Sequence, residues 1–231
     1  MVLDVTELAG MIDVSCVRTT SSKDDIDEMV AAARKYSFGH VSVLQCFIPY
    51  TRLLLVDAPE IKVIGNVSFP SGSDSTAVKV FQAKEMVAAG CDEIDMVMNI
   101  GRLRSGQLEE VENDVRAVIQ VAGNLPVKVI IEIMYLSQSE LEQACNICIL
   151  AGAAFVKTGS GWADRSTTLE DIQRIKTIVG ERIKIKASGG IRDLTGLLDM
   201  YHAGARRFGI NLKSAVEIVE RYRIQGAGIE F

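Results

Sequence analysis

Short apolar segments alternate with longer amphipathic segments along most of the chain. The short segments are rich in β-branched residues and are apolar on both faces, which is typical of buried parallel strands. This pattern predicts seven strands, at residues 40–44, 61–67, 93–98, 127–133, 154–158, 183–187 and 206–210, with residues 11–13 as a candidate eighth.

The amphipathic segments between these strands predict helices. In residues 23–36, for example, Ile26, Met29 and Ala33 share one side and charged residues occupy the other. Glycines such as Gly90 and Gly152 follow several of these segments, and glycine is a common helix terminator. The predicted helices cover residues 23–36, 76–89, 108–122, 139–150, 169–178, 194–202 and 214–222.

About eight strand–helix units in 231 residues predict one α/β domain, a (β/α)8 TIM barrel spanning residues 1–231. The alternative is a doubly wound open sheet, but no GxGxxG motif follows an early strand. The carboxyl ends of barrel strands meet at one mouth, and active sites lie there. The side chains predicted near that mouth are Asp13, Cys46, Asp95, Glu132, Lys157 and Lys186.

Composition and charge argue against several functional classes. The formal net charge is −5, whereas a nucleic-acid partner usually requires a strongly basic surface. The N-terminus lacks the pattern of a secretion signal and no apolar run is long enough to cross a membrane, so we expect a cytoplasmic protein. With five cysteines and two histidines, we expect buried free thiols, no metal site and no cofactor.

Two predicted strands end with a lysine that is followed by small residues, Lys157 in KTGSG and Lys186 in KASGG. Burial and a second nearby ammonium group both lower the pKa of a lysine. A neutral lysine amine forms a Schiff base with a carbonyl group, as in class I aldolases. Asp95 would supply the acid or base. The alternative for a single strand-end lysine is a salt-bridged surface group, which we expect for Lys128 and Lys184.

Four motifs resemble those of the deoxyribose-phosphate aldolase family in order and spacing. They are DEIDMVMNIG at residues 92–101, VKVIIEIMYL at 127–136, FVKTGSGW at 155–162 and IKASGGIR at 185–192. The resemblance extends almost from end to end. It implies a TIM barrel that reversibly cleaves 2-deoxyribose 5-phosphate to acetaldehyde and glyceraldehyde 3-phosphate.

The resemblance also implies roles for individual residues. Lys157 corresponds to the lysine that forms the Schiff base, and Lys186 to the second lysine that lowers its pKa. Asp95 corresponds to the carboxylate that relays protons with a bound water. Residues 12–19 read IDVSCVRT where the family usually has IDHTLLKP, so Asp13 is kept and Ser15 replaces a threonine.

The phosphate-binding loops differ from the family pattern. Ser188, Gly189 and Gly190 are kept after the seventh strand, but residues 209–214 read GINLKS in place of a loop with tandem serines. Asn211 and Lys213 would therefore hold either the phosphate or a different head group, such as a carboxylate or an unphosphorylated sugar. The alternative for Lys213 is a solvated residue in the first helical turn.

The predicted substrate-binding residues are Asp13, Ser15, Cys46, Thr158, Trp162, Ser188, Gly189, Gly190, Asn211 and Lys213. Trp162 is expected as a wall of the pocket, and small core filler is the alternative for Cys46. Arg18, Arg165 and Arg192 are candidates for further anion contacts, with surface charges as the alternative.

Three hypotheses follow. The first is a class I aldolase acting on 2-deoxyribose 5-phosphate. The second is a related Schiff-base aldolase for a different short sugar, sugar phosphate or keto acid. The third is a catalytically inert barrel that binds a sugar phosphate. The expected partner is a small sugar phosphate or related aldehyde, with no nucleic acid and no membrane, and barrels of this kind often form homodimers.

Overall fold

The chain forms a closed barrel of eight parallel strands, in a computed structural model that describes residues 3–226. Each strand pairs with its neighbour in sequence order, and β8 closes the barrel against β1. This confirms the predicted (β/α)8 barrel and excludes the open sheet. The strands are β1 (Ile12–Cys16), β2 (His40–Val43), β3 (Lys62–Val67), β4 (Glu93–Val97), β5 (Val127–Ile130), β6 (Phe155–Lys157), β7 (Lys184–Ser188) and β8 (Ala205–Asn211).

Helices surround the barrel and cover the outer faces of its strands. The helices are α1 (Val5–Gly10), α2 (Lys23–Tyr36), α3 (Ile48–Leu54), α4 (Thr76–Ala88), α5 (Ile100–Arg104), α6 (Leu108–Ala122), α7 (Gln138–Ala151), α8 (Leu169–Val179), α9 (Leu194–His202) and α10 (Leu212–Gly226). The hydrophobic pattern predicted seven of these ten. It missed α1, α3 and α5, because a helix of five to seven residues is too short to show a clear period.

Local sequence explains where several helices begin. In a capping box, the side chain before the helix accepts a hydrogen bond from a backbone N–H, and an acidic side chain accepts one from the backbone N–H of the cap residue. The capping pairs are Ser22 with Asp25 for α2, Ser137 with Glu140 for α7, and Thr168 with Asp171 for α8. Such caps stabilise a helix by about 1 kcal/mol each.

The apolar core lies between the strands and the helices, whereas the inside of the barrel is strongly polar. On β4, Ile94 and Met96 are unexposed and belong to the apolar core cluster. Glu93 and Asp95 alternate with them and lie inside the barrel. Lys128 and Lys186 also lie inside it, so the barrel interior brings together charged groups from several strands.

Some predicted boundaries and environments differ in the structure. The strand predicted at 127–133 ends at Ile130, because Glu132 takes a left-handed backbone conformation (φ 44°) and a short 3-10 helix, Ile133–Tyr135, follows. All five cysteines are free, but the expectation of burial is wrong for Cys46, which is exposed. Within residues 3–226, every helix is too short or too polar to cross a membrane.

Candidate active site

Two connected cavities open at the carboxyl end of the barrel. The inner one has a volume of about 20 Å³, and Lys157 and Lys186 reach it from β6 and β7. The outer one has a volume of about 700 Å³. Ser15, Ser160 and Ser188 line both cavities, so the outer cavity leads directly to the two lysines.

Asp95 lies at the centre of a cluster of three lysines. Its Oδ2 atom is 2.8 Å from both Lys157 Nζ and Lys186 Nζ. Its Oδ1 atom is 3.0 Å from Lys128 Nζ. The structure therefore brings together the three side chains that the sequence proposed for catalysis, and adds Lys128 to them.

The expectation that Lys128 lies on the surface is wrong. Its side chain is unexposed and contacts Glu93 as well as Asp95. Lys128 is directly opposite Asp95 in the register of β4 and β5, so its side chain meets that carboxylate inside the barrel. Lys184, at the start of β7, is exposed as expected.

A second part of the charge network lies around Arg207 of β8, to which the sequence assigned no role. Arg207 Nε donates to Asp13 Oδ1 at 3.0 Å, and Arg207 Nη2 donates to Glu93 Oε2 at 2.7 Å. The same Nη2 atom is 2.8 Å from His40 Nε2. These partners come from three different strands, β1, β2 and β4, so no local sequence pattern could have revealed the group.

The network is balanced in charge without Lys157. Three cations and three anions form ion pairs of 3.0 Å or less; they are Lys128, Lys186 and Arg207, and Asp13, Glu93 and Asp95. A protonated Lys157 would be a fourth cation in a nearly solvent-free interior. Because uncompensated buried charge is costly, the neutral amine of Lys157 is more accessible than that of an ordinary lysine.

The two strand-end lysines differ in their pKa for this reason. Burial lowers the pKa of Lys157 to about 8; the Asp95 carboxylate opposes this and the Lys186 ammonium adds to it. Burial would also lower the pKa of Lys186, but the carboxylates of Asp13 and Asp95 outweigh it and raise that pKa. Of these two lysines, Lys157 is therefore the one that readily becomes a nucleophile.

The acidic partners are held in their ionised form. Burial alone would raise the pKa of Asp95, but the ammonium groups of Lys128, Lys157 and Lys186 hold it well below its usual value. Burial likewise opposes ionisation of Asp13, and its cationic neighbours, first Lys186, lower its pKa. Asp95 is thus a carboxylate at neutral pH and accepts hydrogen bonds from all three lysines.

Glu132 positions the loop that follows Lys157. Its Oε1 atom accepts a hydrogen bond from the backbone N–H of Ser160 at 2.9 Å. Its Oε2 atom is buried without a hydrogen-bond partner among residues 3–226, and burial raises the pKa of this carboxyl group. The left-handed backbone at Glu132 is the type of strain that occurs at functional sites.

Two of the proposed substrate-binding residues line neither cavity. The Thr158 hydroxyl lies 2.9 Å from Thr167 Oγ1 and donates to the Ser188 carbonyl, so it ties β6 to the end of β7. Thr158 follows Lys157 directly and side chains alternate along a strand, which turns it away from the cavity. Cys46 lies in a 3-10 helix, Gln45–Phe47, beyond the end of β2.

Cationic and aromatic side chains line one side of the outer cavity. The Arg18 guanidinium lies 5.2 Å from the centre of the Trp162 ring, and Arg18 Nη2 donates to the Gly161 carbonyl at 3.1 Å. Arg192 and Lys213 also line this cavity. Arg165 does not, because it pairs with Asp171. The outer cavity therefore has three cationic groups that could contact an anion, and its lining also includes three carboxylates, those of Asp25, Glu28 and Glu217.

The glycines after β7 and the start of α10 form the rest of this wall. Gly190 has a positive φ of 84°, and a Cβ atom there would lie 1.9 Å from Ser166 Oγ, so only glycine fits. Asn211 Oδ1 accepts a hydrogen bond from Ser214 N at 3.1 Å. Asn211 therefore caps α10, whose positive N-terminal end lies at the cavity and favours a negative group there.

The chain is similar to known aldolases over nearly its whole length. Residues 55–214 match the DeoC/LacD family aldolase description. The deoxyribose-phosphate aldolase of Carboxydothermus hydrogenoformans is 42% identical over 93% of this chain and 95% of its own length. That of Sinorhizobium medicae is 39% identical, with coverage of 93% and 87%.

Solved structures show the same similarity. The structure described as QR15, an aldolase, superposes with a TM-score of 0.90 at 34% identity, covering 99% of this chain and 100% of that one. The tetrameric deoxyribose phosphate aldolase from Aeropyrum pernix superposes with a TM-score of 0.87 at 25% identity, covering 95% and 92%. The barrel fold is therefore shared with these proteins.

Proposed function

Since this chain belongs to the deoxyribose-phosphate aldolase family of lyases, we propose that it reversibly cleaves 2-deoxy-D-ribose 5-phosphate to acetaldehyde and D-glyceraldehyde 3-phosphate. The reaction proceeds through a Schiff base on Lys157, within one aldolase domain spanning residues 1–231. The main support is the geometry of Lys157, which is buried, has a pKa near 8 and shares one oxygen of Asp95 with Lys186.

The first step joins the substrate to Lys157. The neutral amine adds to the aldehyde carbon of the open-chain sugar, and loss of water gives an iminium ion. Lys186 stays protonated beside it, because Asp13 and Asp95 raise its pKa. Its positive charge disfavours protonation of the Lys157 amine before that amine adds to the substrate.

The second step breaks the bond between the second and third carbons of the sugar. The proton of the hydroxyl on the third carbon leaves, and the bonding electrons move into the iminium to give an enamine. Asp95 accepts this proton through a bound water, since its carboxylate is ionised and lies 2.8 Å from Lys157 Nζ. Protonation of the enamine and addition of water then release acetaldehyde and the free lysine.

The outer cavity holds the phosphate end of the substrate. Its volume of about 700 Å³ is ample for a phosphorylated pentose. Arg18, Arg192 and Lys213 supply positive charge, and Gly189 and Gly190 allow the backbone to approach the phosphate closely. Asp13, Ser15 and Ser188 line the inner cavity together with the two lysines, and the hydroxyl groups of the bound sugar lie beside them.

A related substrate is the second candidate, and Asn211 and Lys213 are the observation that favours it. Asn211 uses its Oδ1 atom to cap α10, and Lys213 is a flexible point charge. A carboxylate or an unphosphorylated sugar would also suit this wall. An inert sugar-phosphate-binding barrel is less well supported, because pure binding gives no reason to lower the pKa of a buried lysine.

Trapping of the Schiff base tests the proposal. The protein is incubated with 2-deoxyribose 5-phosphate, reduced with borohydride and digested, and the added mass is mapped to a peptide. We expect the adduct on Lys157 and none in Lys157→Met, which also loses turnover. An adduct on Lys186, or full turnover by Lys157→Met, would refute the mechanism. Trapping only with unphosphorylated aldehydes or keto acids would favour the second candidate.

We further propose a homodimer in the cytoplasm. The relative from Aeropyrum pernix is described as tetrameric. A dimer of this chain would therefore differ from that relative in its number of subunits. Sedimentation of the purified protein decides the assembly, and a monomer at micromolar concentration would overturn the proposed dimer.

A further inference from the structure

One wall of the inner cavity is polar in a way that cleavage of a 2-deoxy sugar does not require. Ser42 of β2 and Asn66 of β3 line this cavity together with Lys157 and Lys186. Both polar residues are buried, at 4% and 7% exposure. In a 2-deoxy sugar the carbon next to the iminium carries no hydroxyl group, so the proposed cleavage gives these two side chains no hydrogen-bond partner on that carbon.

The hydrogen bonds of Asn66 leave its amide oxygen unused. Asn66 Nδ2 donates to the Val43 carbonyl and to Ser42 Oγ, both at 3.0 Å. Because a backbone carbonyl only accepts, the NH₂ group must face Val43, and this sets the orientation of the amide. Asn66 Oδ1 accepts no hydrogen bond from residues 3–226 and is not fully buried, so it is available to a group in the cavity.

Ser42 provides a free hydrogen-bond donor beside this free acceptor. Its oxygen already accepts from Asn66 Nδ2, and its O–H donates to no protein group within residues 3–226. The pair thus presents one acceptor and one donor on the same wall. A hydroxyl group donates one hydrogen bond and accepts others, so it satisfies both atoms.

The size of the inner cavity limits what this pair can bind. Its volume of about 20 Å³ holds one water-sized group. Lys157 lines the same space, so a group bound to the pair lies near the carbon attached to the Schiff base. A single hydroxyl fits there, whereas a longer side chain does not.

We propose that Ser42 and Asn66 bind a hydroxyl group on the α carbon of the aldol donor, so that the enzyme uses 2-hydroxyaldehydes as well as acetaldehyde. Glycolaldehyde is the simplest such donor. The inference rests on the Schiff-base function proposed above and names a further substrate class for the same site.

The reaction balances without any other reactant. The Lys157 amine and the donor aldehyde form an iminium and release water, and the α carbon loses a proton to give an enamine. That carbon bonds to the aldehyde carbon of D-glyceraldehyde 3-phosphate, whose oxygen takes up a proton. Water then releases the lysine amine, and the product is an aldopentose 5-phosphate that keeps its hydroxyl on the second carbon.

The test compares the two donors in the same enzyme. We measure kcat/KM for glycolaldehyde and for acetaldehyde, with D-glyceraldehyde 3-phosphate as acceptor, in the wild type, Asn66→Leu and Ser42→Ala. We expect the ratio of glycolaldehyde to acetaldehyde to fall about tenfold in each variant, as for the loss of one hydrogen bond. Thr177→Ala, at an exposed position of α8 that lines neither cavity, is the control and keeps the wild-type ratio.

The outcomes separate this inference from the proposed function. A structural defect lowers kcat/KM for both donors and leaves the ratio unchanged, so an unchanged ratio in both variants overturns the inference. Ser42→Ala decides the matter if Asn66→Leu fails to fold. If borohydride traps acetaldehyde but not glycolaldehyde on Lys157, only the inference fails. If neither donor is trapped, both proposals fail.

Discussion

Replacing Lys186 with methionine removes a positive charge next to the proposed nucleophile while nearly keeping the length of the side chain. Lys186 Nζ and Lys157 Nζ both lie 2.8 Å from the same oxygen of Asp95. Without Lys186, the repulsion between the ammonium groups disappears, and Asp95 interacts more strongly with Lys157. Both changes favour the protonated form of Lys157, so its pKa is expected to rise.

The magnitude follows from the pKa of Lys157, which is about 8 instead of the usual 10.5. At pH 7, a pKa of about 8 leaves roughly one tenth of the lysine neutral, whereas 10.5 leaves roughly 0.03%. Complete loss of the perturbation would therefore lower the rate of Schiff-base formation about 300-fold, which corresponds to about 3 kcal/mol. Burial remains in the variant, so the expected effect lies between about 10-fold and this limit.

The assay is the rate of borohydride trapping of acetaldehyde on Lys157 as a function of pH. Trapping needs the neutral amine, so in the wild type the rate rises as the pH passes through about 8. In Lys186→Met we expect the midpoint to move up by at least one pH unit, with the rate partly restored near pH 10. A merely misfolded variant would not recover at high pH.

Lys184→Met is the matched control, because Lys184 is an exposed lysine on the same strand. Its midpoint should stay near that of the wild type. A midpoint in Lys186→Met that is unchanged or lower would show that Lys186 does not lower the pKa of Lys157, and the charge-balance argument would be wrong.

Two further predictions concern the fold and the outer cavity. Lys79→Met leaves the Asp114 carboxylate buried between α4 and α6 without its partner, and should lower the free energy of unfolding by about 3 kcal/mol in urea titrations. Arg116→Met removes one partner of an exposed ion pair and should lower the free energy of unfolding by less than about 1 kcal/mol. Equal losses in the two variants would contradict the reasoning. Arg18→Ala should raise KM for 2-deoxyribose 5-phosphate about tenfold and leave KM for unphosphorylated 2-deoxyribose nearly unchanged, because the contact proposed for Arg18 in the outer cavity is with the phosphate. An equal rise in KM for both sugars would contradict a phosphate contact.

Much of the architecture was predictable from the sequence, because the hydrophobic pattern reports burial residue by residue. All eight strands were found, and the helices over residues 23–36, 108–122 and 194–202 have the predicted bounds. The missed helices are short, and β5 was predicted to end at residue 133 instead of Ile130 because the turn at Glu132 was not foreseen. Its left-handed backbone depends on contacts with the loop after β6, which no local pattern shows.

The lysines at the ends of β6 and β7 could be selected from sequence because strand ends in a barrel share one mouth. The sequence determined which side chains are available at that mouth. It could not determine their partners, since the contacts join distant parts of the chain: Asp95 is 33 residues from Lys128 and 91 from Lys186, and Asp13 is 194 from Arg207.

Only the closed barrel determines which charged side chains face one another and which of them lacks the negative charge that would balance it. Lys128 looked like a surface lysine in sequence, yet the register of β4 and β5 places it inside against Asp95. The pairing of Ser42 with Asn66 likewise arises from neighbouring strands. Electrostatic energy depends on distance and solvent exposure, and both are properties of the folded barrel rather than of the order of residues along the chain.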